Sequence, residues 1–195
     1  MTDQTKTRRL RIGLKTTSDA AALSGLLRRI PHGEYTFLKA GIVEADWGAL
    51  LGDPGGTQLL IARSAGEPVG VLALVPGAGW SDHVAELRLV VDPAERGQGV
   101  GRALAEAGVR LAVERRLLKI TVEVLVEQTN VVDLFRELGF VAEGLLTDQV
   151  RDDAGQPHDL LVLGHPVVET ARAARDHRSS RVIWTPTTCR LKERT

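Results

Sequence analysis

The chain is poor in several residue types, and each shortage closes off a class of structure. Cys189 is the one cysteine among 195 residues. This excludes an intrachain disulfide and a cysteine-based zinc site, and it suits a reducing, cytoplasmic setting. Aromatic residues make up only 4%, and Tyr35 is the one tyrosine. Long apolar runs are missing as well. The longest charge-free, apolar-leaning stretch is PVGVLALVPGAGWS, residues 68–81, and proline and glycine interrupt it. It is too short for a membrane span, which needs about 20 apolar residues. The N-terminal MTDQTKTRRLRIG has basic residues but no apolar segment after them, so it does not read as a secretory leader. Charge of one sign is also lacking: Lys and Arg total 25, Asp and Glu total 25, and the formal net charge is +0. That balance gives no reason to expect nucleic acid or an anionic membrane as partner.

What is there suits a globular chain. Hydrophobic residues are 43% and charged residues 26%, enough apolar material for a core without staples. The length fits one domain, or one domain with a tail. Leu10, Ile12 and Leu14 alternate with basic residues as in a half-buried strand, and TTSDAAALSGLLRRI reads as a helix with Thr or Ser at its cap, stopped by Pro31. A short helix is expected near Asp46 to Leu51. TQLLIARS and PVGVLALV around AGEP make a hairpin signal, and HVAELRLVV is a third strand. The alternation of that third strand sets Ala85, Leu87, Leu89 and Val91 on one face and Glu86, Arg88 and Val90 on the other. A helix follows to about Arg116, with Val100, Leu104, Ala107 or Gly108, and Leu111 as its apolar stripe. LLKITVEVLV is a strand. TNVVDLFREL is a helix that starts on Thr or Asn and stops at Gly139, with Val131, Leu134, Phe135 and Leu138 as its stripe. FVAEGLLTDQV and HDLLVLG are two strands around DDAGQP. The order mixes hairpins with a βαβ crossover, so the expected class is α/β with a mixed sheet. The domain is expected over residues 8–166. Residues 167–195 form a C-terminal extension, partly helical or disordered, in which Trp184 could dock.

The densest signal is LVVDPAERGQGVGRAL, residues 89–104, where Gly97, Gly99 and Gly101 fall between a strand and a helix. A phosphate-binding P-loop needs Lys and then Ser or Thr after its last glycine, but Arg102 and Ala103 stand there. A dinucleotide fingerprint needs a third glycine where Leu104 stands. An anion site remains: backbone N–H groups and a helix N-terminus favour a phosphate, and glycines let it come close.

Arg96-Gly97-Gln98-Gly99-Val100-Gly101 resembles the Arg/Gln-x-x-Gly-x-Gly/Ala signature of the GNAT superfamily, the Gcn5-related N-acetyltransferases. NVVDLFRELGF resembles the second conserved segment of that family, and the element order of residues 8–165 is similar too. The resemblance implies the GNAT acyltransferase fold: a mostly antiparallel mixed sheet, flanked by helices, with a cleft where the fourth and fifth strands splay apart. It implies acetyl-coenzyme A as cofactor and direct transfer of the acetyl group to a primary amine. Backbone amides from about Gln98 to Arg102, in the loop of Arg96, Gly97, Gln98, Gly99, Val100, Gly101 and Arg102, would hold the pyrophosphate. Leu89, Val90 and Val91 would offer backbone hydrogen bonds to the pantetheine arm, and Asn130 a polar contact.

Glu86 is the candidate base, ten residues before Arg96; the competing reading is a surface glutamate paired with Arg88. His83 is a weaker candidate. Phe135 stands where many members of the family carry the tyrosine that protonates the departing thiolate, so it is expected to pack in the core and against the cofactor. Tyr35 is a weak candidate for a catalytic role and a better one for a wall of the acceptor pocket. The leading expectation is an acetyl-coenzyme A-dependent N-acetyltransferase with a small-molecule amine favoured over a protein as acceptor, without nucleic acid or membrane as partner, and with a homodimer open. The alternative is a GNAT-fold module that binds coenzyme A without turnover.

Overall fold

The computed structural model describes residues 10–31, 56–152 and 154–167. Tyr35, Trp47, Trp184, Cys189, the short helix expected at Asp46 to Leu51 and the extension after Val167 lie outside the described residues.

Seven strands form one sheet: β1 (Arg11–Leu14), β2 (Gln58–Ser64), β3 (Glu67–Pro76), β4 (Val84–Val91), β5 (Lys119–Leu125), β6 (Val141–Arg151) and β7 (Pro157–Pro166). Their spatial order is β1-β2-β3-β4-β5-β7-β6. The described neighbours pair antiparallel except β4 and β5, which run parallel. The sheet is therefore mixed, as the hairpin and crossover signals require. The parallel pair is the one joined through a helix, because a parallel connection needs a crossover.

Three α-helices are described: α1 (Ala20–Leu27), α2 (Val100–Glu114) and α3 (Thr129–Glu137). Leu23, Leu26, Leu27 and Ile30 at the α1 end pack on one face of the sheet, against Leu59, Ile61, Val71 and Val90. Leu104, Ala105, Leu111 and Ala112 of α2 pack on the other face, against Leu72, Leu87 and Ile120. Burial on both faces explains why β2 and β3 read as continuous apolar runs. Helix α2 lies very close to the sheet. A Cβ on Gly108 would stand 2.8 Å from Leu72 Cδ1, and one on Gly70 would stand 2.8 Å from Leu104 Cδ1.

Two local expectations are corrected. The α1 N-cap is Asp19 rather than Thr or Ser, after a 3₁₀ turn at Thr17–Asp19. Its carboxylate turns back to accept from the Thr16 N–H at 2.6 Å and from Arg63 at 2.5 Å. Helix α3 starts on Thr129, as expected. On α3, Val132 and Phe135 are the buried residues, while Val131 and Leu134 turn to a cleft. The apolar surface of α3 is shared between a core and a cavity, so it is wider than one stripe. Its end follows the expectation: Gly139 has φ +87°, its N–H donates to Arg136 C=O at 2.9 Å, and the Phe140 N–H donates to Phe135 C=O at 3.0 Å.

Candidate functional site

The site begins where one ladder stops. Strands β4 and β5 pair only at Val84–Lys119, Ala85–Ile120 and Glu86–Thr121. Their closed end is fixed by Leu118 N–H donating to His83 C=O at 2.8 Å. Past Glu86 the strands continue to Val91 and Leu125 without pairing to each other. The gap is the narrow end of a cleft of about 750 Å³ lined by β4, β5, α3 and the glycine loop, a volume suited to a sizeable small molecule.

The β3–β4 register shows which backbone groups face that gap. Asp92 N–H donates to Val69 C=O at 2.9 Å, and Gly77 N–H donates to Val84 C=O at 2.8 Å. The register between those bonds is unbroken. Antiparallel pairing alternates, so the even-numbered residues of β4 give their backbone groups to β3. The backbones of Leu87, Leu89 and Val91 are left facing β5. Val90 is corrected on this point: its backbone belongs to the pair with Val71, and its side chain packs under α1.

The loop closes the wide end. Asp92 accepts from the Ala94 N–H at 3.0 Å and opens a 3₁₀ turn at Pro93–Glu95. Gly97 and Gly99 have φ of +71° and +81°, backbone that L side chains strain to adopt. Gly99 is the N-cap of α2. The first intrahelical bond of α2 runs from Ala103 N–H to Gly99 C=O at 3.0 Å, so the N–H groups of Val100, Gly101 and Arg102 have no intrahelical acceptor. Together with the helix dipole they form a place for an anion. Gly101 serves another purpose than Gly99. A Cβ there would point into the groove, 3.7 Å from Leu134 Cδ2 and Val91 Cγ2 and 3.8 Å from Leu89 Cδ2. Arg96 lines the cleft, and its Nε lies 3.4 Å from Val91 C=O. Arg102 pairs with Glu137 across the start of α2 and the end of α3. Gln98 donates to Ala94 C=O at 3.2 Å, which holds the turn together. Asn130, in the first turn of α3, lines the mouth.

Glu86 stands at the apex, where pairing ends. Its Oε2 accepts from Arg88 at 3.0 Å, so the pairing named as its competing reading does exist; both residues also line the cleft. His83 lies outside the cleft lining, 3.8 Å from Asp82 Oδ1. Phe135 is 1% exposed, packs edge-on against Phe140 at 5.0 Å, and contributes to the cleft wall. It packs in the core as expected, and it has no proton to give. Sequence reading missed Glu123. Ile120, Val122 and Val124 join the core under α2, so Glu123 falls on the Glu86 face and lines the cleft from β5. Its alternation was visible, but a role needed the gap.

Beside the mouth, His158 holds the turn that leads into α3. Its Nδ1 lies 3.2 Å from Glu127 Oε1, and its Nε2 lies 3.4 Å from Asp152 Oδ2. A carboxylate at each ring nitrogen favours the imidazolium. The hydrogen bond to Glu127 and then the one to Asp152 raise the pKa of His158 above its ordinary value.

A parted pair of parallel strands beside an amide-lined turn makes a groove whose shape and free amides suit an extended ligand with an anionic end. The acetyltransferase (GNAT) family model matches residues 23–140, more than half of the chain. The chain thus belongs to the GNAT acetyltransferase family. It is 36% identical over 115 residues to Probable N-acetyltransferase 14 of Mus musculus, a match covering 55% of each chain; the chain spans about half the length of that curated relative. A GCN5-related N-acetyltransferase from Kribbella flavida matches with a TM-score of 0.69 and 27% identity, over 80% of this chain and 97% of that one. The acetyltransferase of GNAT family from Streptococcus pneumoniae shares the fold at a TM-score of 0.72 and 22% identity, over 81% of this chain and 99% of that one. Among the described residues, no helix is long and apolar enough to cross a membrane, and no group of three His, Cys, Asp or Glu could hold a metal ion.

Proposed function

We propose that this chain is an N-acetyltransferase that moves an acetyl group from acetyl-coenzyme A to a primary amine in a ternary complex. The observation that carries it is the end of the β4–β5 ladder at Glu86–Thr121 in the same cleft as a turn with three N–H groups lacking helical acceptors. The residues present fit the cofactor. The amides of Val100, Gly101 and Arg102, preceded by Gly97, Gln98 and Gly99, receive the pyrophosphate, and Arg96 and Asn130 flank it. The backbones of Leu89 and Val91 pair with the amide groups of the pantetheine arm as a neighbouring strand would. Leu134 and Phe135 wall that arm.

When bound, the cofactor supplies an acetyl carbonyl activated as a thioester. Glu86, at the apex, takes a proton from the acceptor nitrogen as the C–N bond forms and the C–S bond breaks. Phe135 has no proton to donate to the thiolate that would leave with the electron pair of the broken C–S bond, so solvent would supply it. Tyr35, outside the described residues, is assigned to the acceptor wall and only secondarily to proton transfer. The transferase unit is read as residues 8–166, with 167–195 as an extension. We place the protein in the cytoplasm, with a small-molecule acceptor and a homodimer as its open assembly state.

Calorimetry with acetyl-coenzyme A tests the cofactor, and thiol release across an amine panel tests the transfer. Absence of binding at near-millimolar ligand would overturn the reading. Phe135 favours one rival, a module that holds coenzyme A without turnover; binding with no thiol release for any amine would establish it instead.

A further inference from the structure

Arg88 is the cleft residue that the proposed chemistry leaves unused. It lies two positions past Glu86 on the same face of β4 and lines the cleft. One end of its guanidinium is committed to Glu86 at 3.0 Å. Its Nε is buried and has no hydrogen-bond acceptor among the described residues. A buried donor left unmet is costly, the more so on a charged group. Arg88 as a whole lines the cleft, with its side chain 27% exposed, so its charged group can meet a ligand oxygen there. The planar guanidinium fork matches a carboxylate better than any other side chain does.

From this we infer that Arg88 determines acceptor specificity by binding a carboxylate on the amine substrate. The acceptor class is then free amino acids and related amines with an acid group beside the reacting nitrogen. The inference rests on the acetyl-transfer reading above. Side chains two apart on one strand face are neighbours, about 6–7 Å along the chain. Glu86 and Arg88 thus present opposite charges side by side at the ladder's end. An amino acid presents an ammonium and a carboxylate in the complementary order. Its ammonium meets Glu86, with Glu123 adding negative charge from the opposite strand. Its carboxylate meets the guanidinium of Arg88. With the acceptor absent, the two side chains partner each other; with it bound, both exchange that partner for the substrate. A decarboxylated amine satisfies Glu86 but leaves the Arg88 donor orphaned, and a site with such a donor discriminates strongly against the analogue lacking the group.

The test uses the full chain with acetyl-coenzyme A and matched pairs: L-leucine against isoamylamine, L-phenylalanine against phenethylamine, and L-methionine against 3-(methylthio)propylamine. Wild type is expected to favour each amino acid in kcat/KM, mainly through KM. Arg88→Leu is expected to lose about 10- to 100-fold on the amino acids relative to the decarboxylated amines, which removes the preference; Arg88→Lys should fall between. Thermal unfolding checks that each variant is folded, and the wild-type comparison decides the matter where one is not. Equal or better use of the decarboxylated amines by wild type would overturn the inference, as would an equal loss on both members of each pair, or no turnover of any amino acid. Failure to bind acetyl-coenzyme A in calorimetry would strike the transferase reading itself. Binding it while preferring the decarboxylated amines would overturn only the carboxylate assignment.

Discussion

Arg29 Nε donates to Asp92 Oδ2 at 2.5 Å, and the same guanidinium donates to Pro68 C=O at 2.9 Å. One side chain at the end of α1 thereby ties the start of the glycine loop to β3. Asp92 also accepts from the Ala94 N–H at 3.0 Å, so its carboxylate both caps the 3₁₀ turn and anchors it. Asp92→Ala removes the cap and the anchor together. It should cost about 1–3 kcal/mol of stability, read from denaturant midpoints, and weaken coenzyme A binding. Asp92→Asn, which can keep the Ala94 contact, should cost less.

Gly99 and Gly101 are glycine for different reasons, and valine separates them. Gly99 has φ +81°, so Gly99→Val should destabilise the fold by roughly 1–2 kcal/mol or more. At Gly101 a Cβ makes only ordinary contacts, at 3.7 Å and beyond, and the added methyls enter the groove. Gly101→Val should keep its unfolding midpoint and lose about 10- to 100-fold in coenzyme A affinity, which corresponds to about 1–3 kcal/mol of overlap with the ligand. Full affinity in that variant would refute the placement of the cofactor arm.

Glu86→Gln keeps the shape of the apex and removes the base. Thiol release with an accepted amine should fall by about 10²- to 10⁴-fold, with cofactor affinity retained in calorimetry. A variant as fast as wild type would move the proton-accepting role elsewhere, with Glu123 next in line.

His158 gives a pH dependence with a defined sign. Its pKa is raised by Glu127 and then Asp152. Its contribution to stability is therefore complete below the unfolded value of about 6.5 and is lost as pH rises through the higher folded value. The carboxyls work in the opposite sense. Asp152 is lowered first by the Gln156 N–H, and Glu127 by its own backbone N–H, with His158 adding to both. Their contribution is lost as pH falls through the acid range. His158→Gln should flatten the fall in unfolding temperature as pH rises above about 6.5. A slope identical to wild type would show that the cluster does not couple to folding.

Phe135 is 1% exposed and packed on Phe140, so Phe135→Ala should cost about 3–5 kcal/mol in chemical unfolding.

The sequence by itself determined the elements and the anion loop. Apolar runs marked β2 and β3, alternation marked β4 and β5, the run from Asp92-Pro93 to Gly101 marked a strand-to-helix turn, and Gly139 marked the end of α3. These signals are local: glycine at positive φ, proline at a turn and a period of two are consequences of bonded geometry and near neighbours. Caps were read less well, because Asp19 was drawn to Arg63 from a distant strand. Only the tertiary structure decided the site. That β4 and β5 part after Glu86, that Leu89 and Val91 rather than Val90 turn their backbones to the gap, that Val131 lines the cleft while Val132 is buried in the core, and that Glu123 joins Glu86 in one cleft all depend on which strand lies beside which. The physical reason is that a strand's alternation assigns residues to two faces and two edges but does not name what lies against them; the register with the neighbouring chain supplies that.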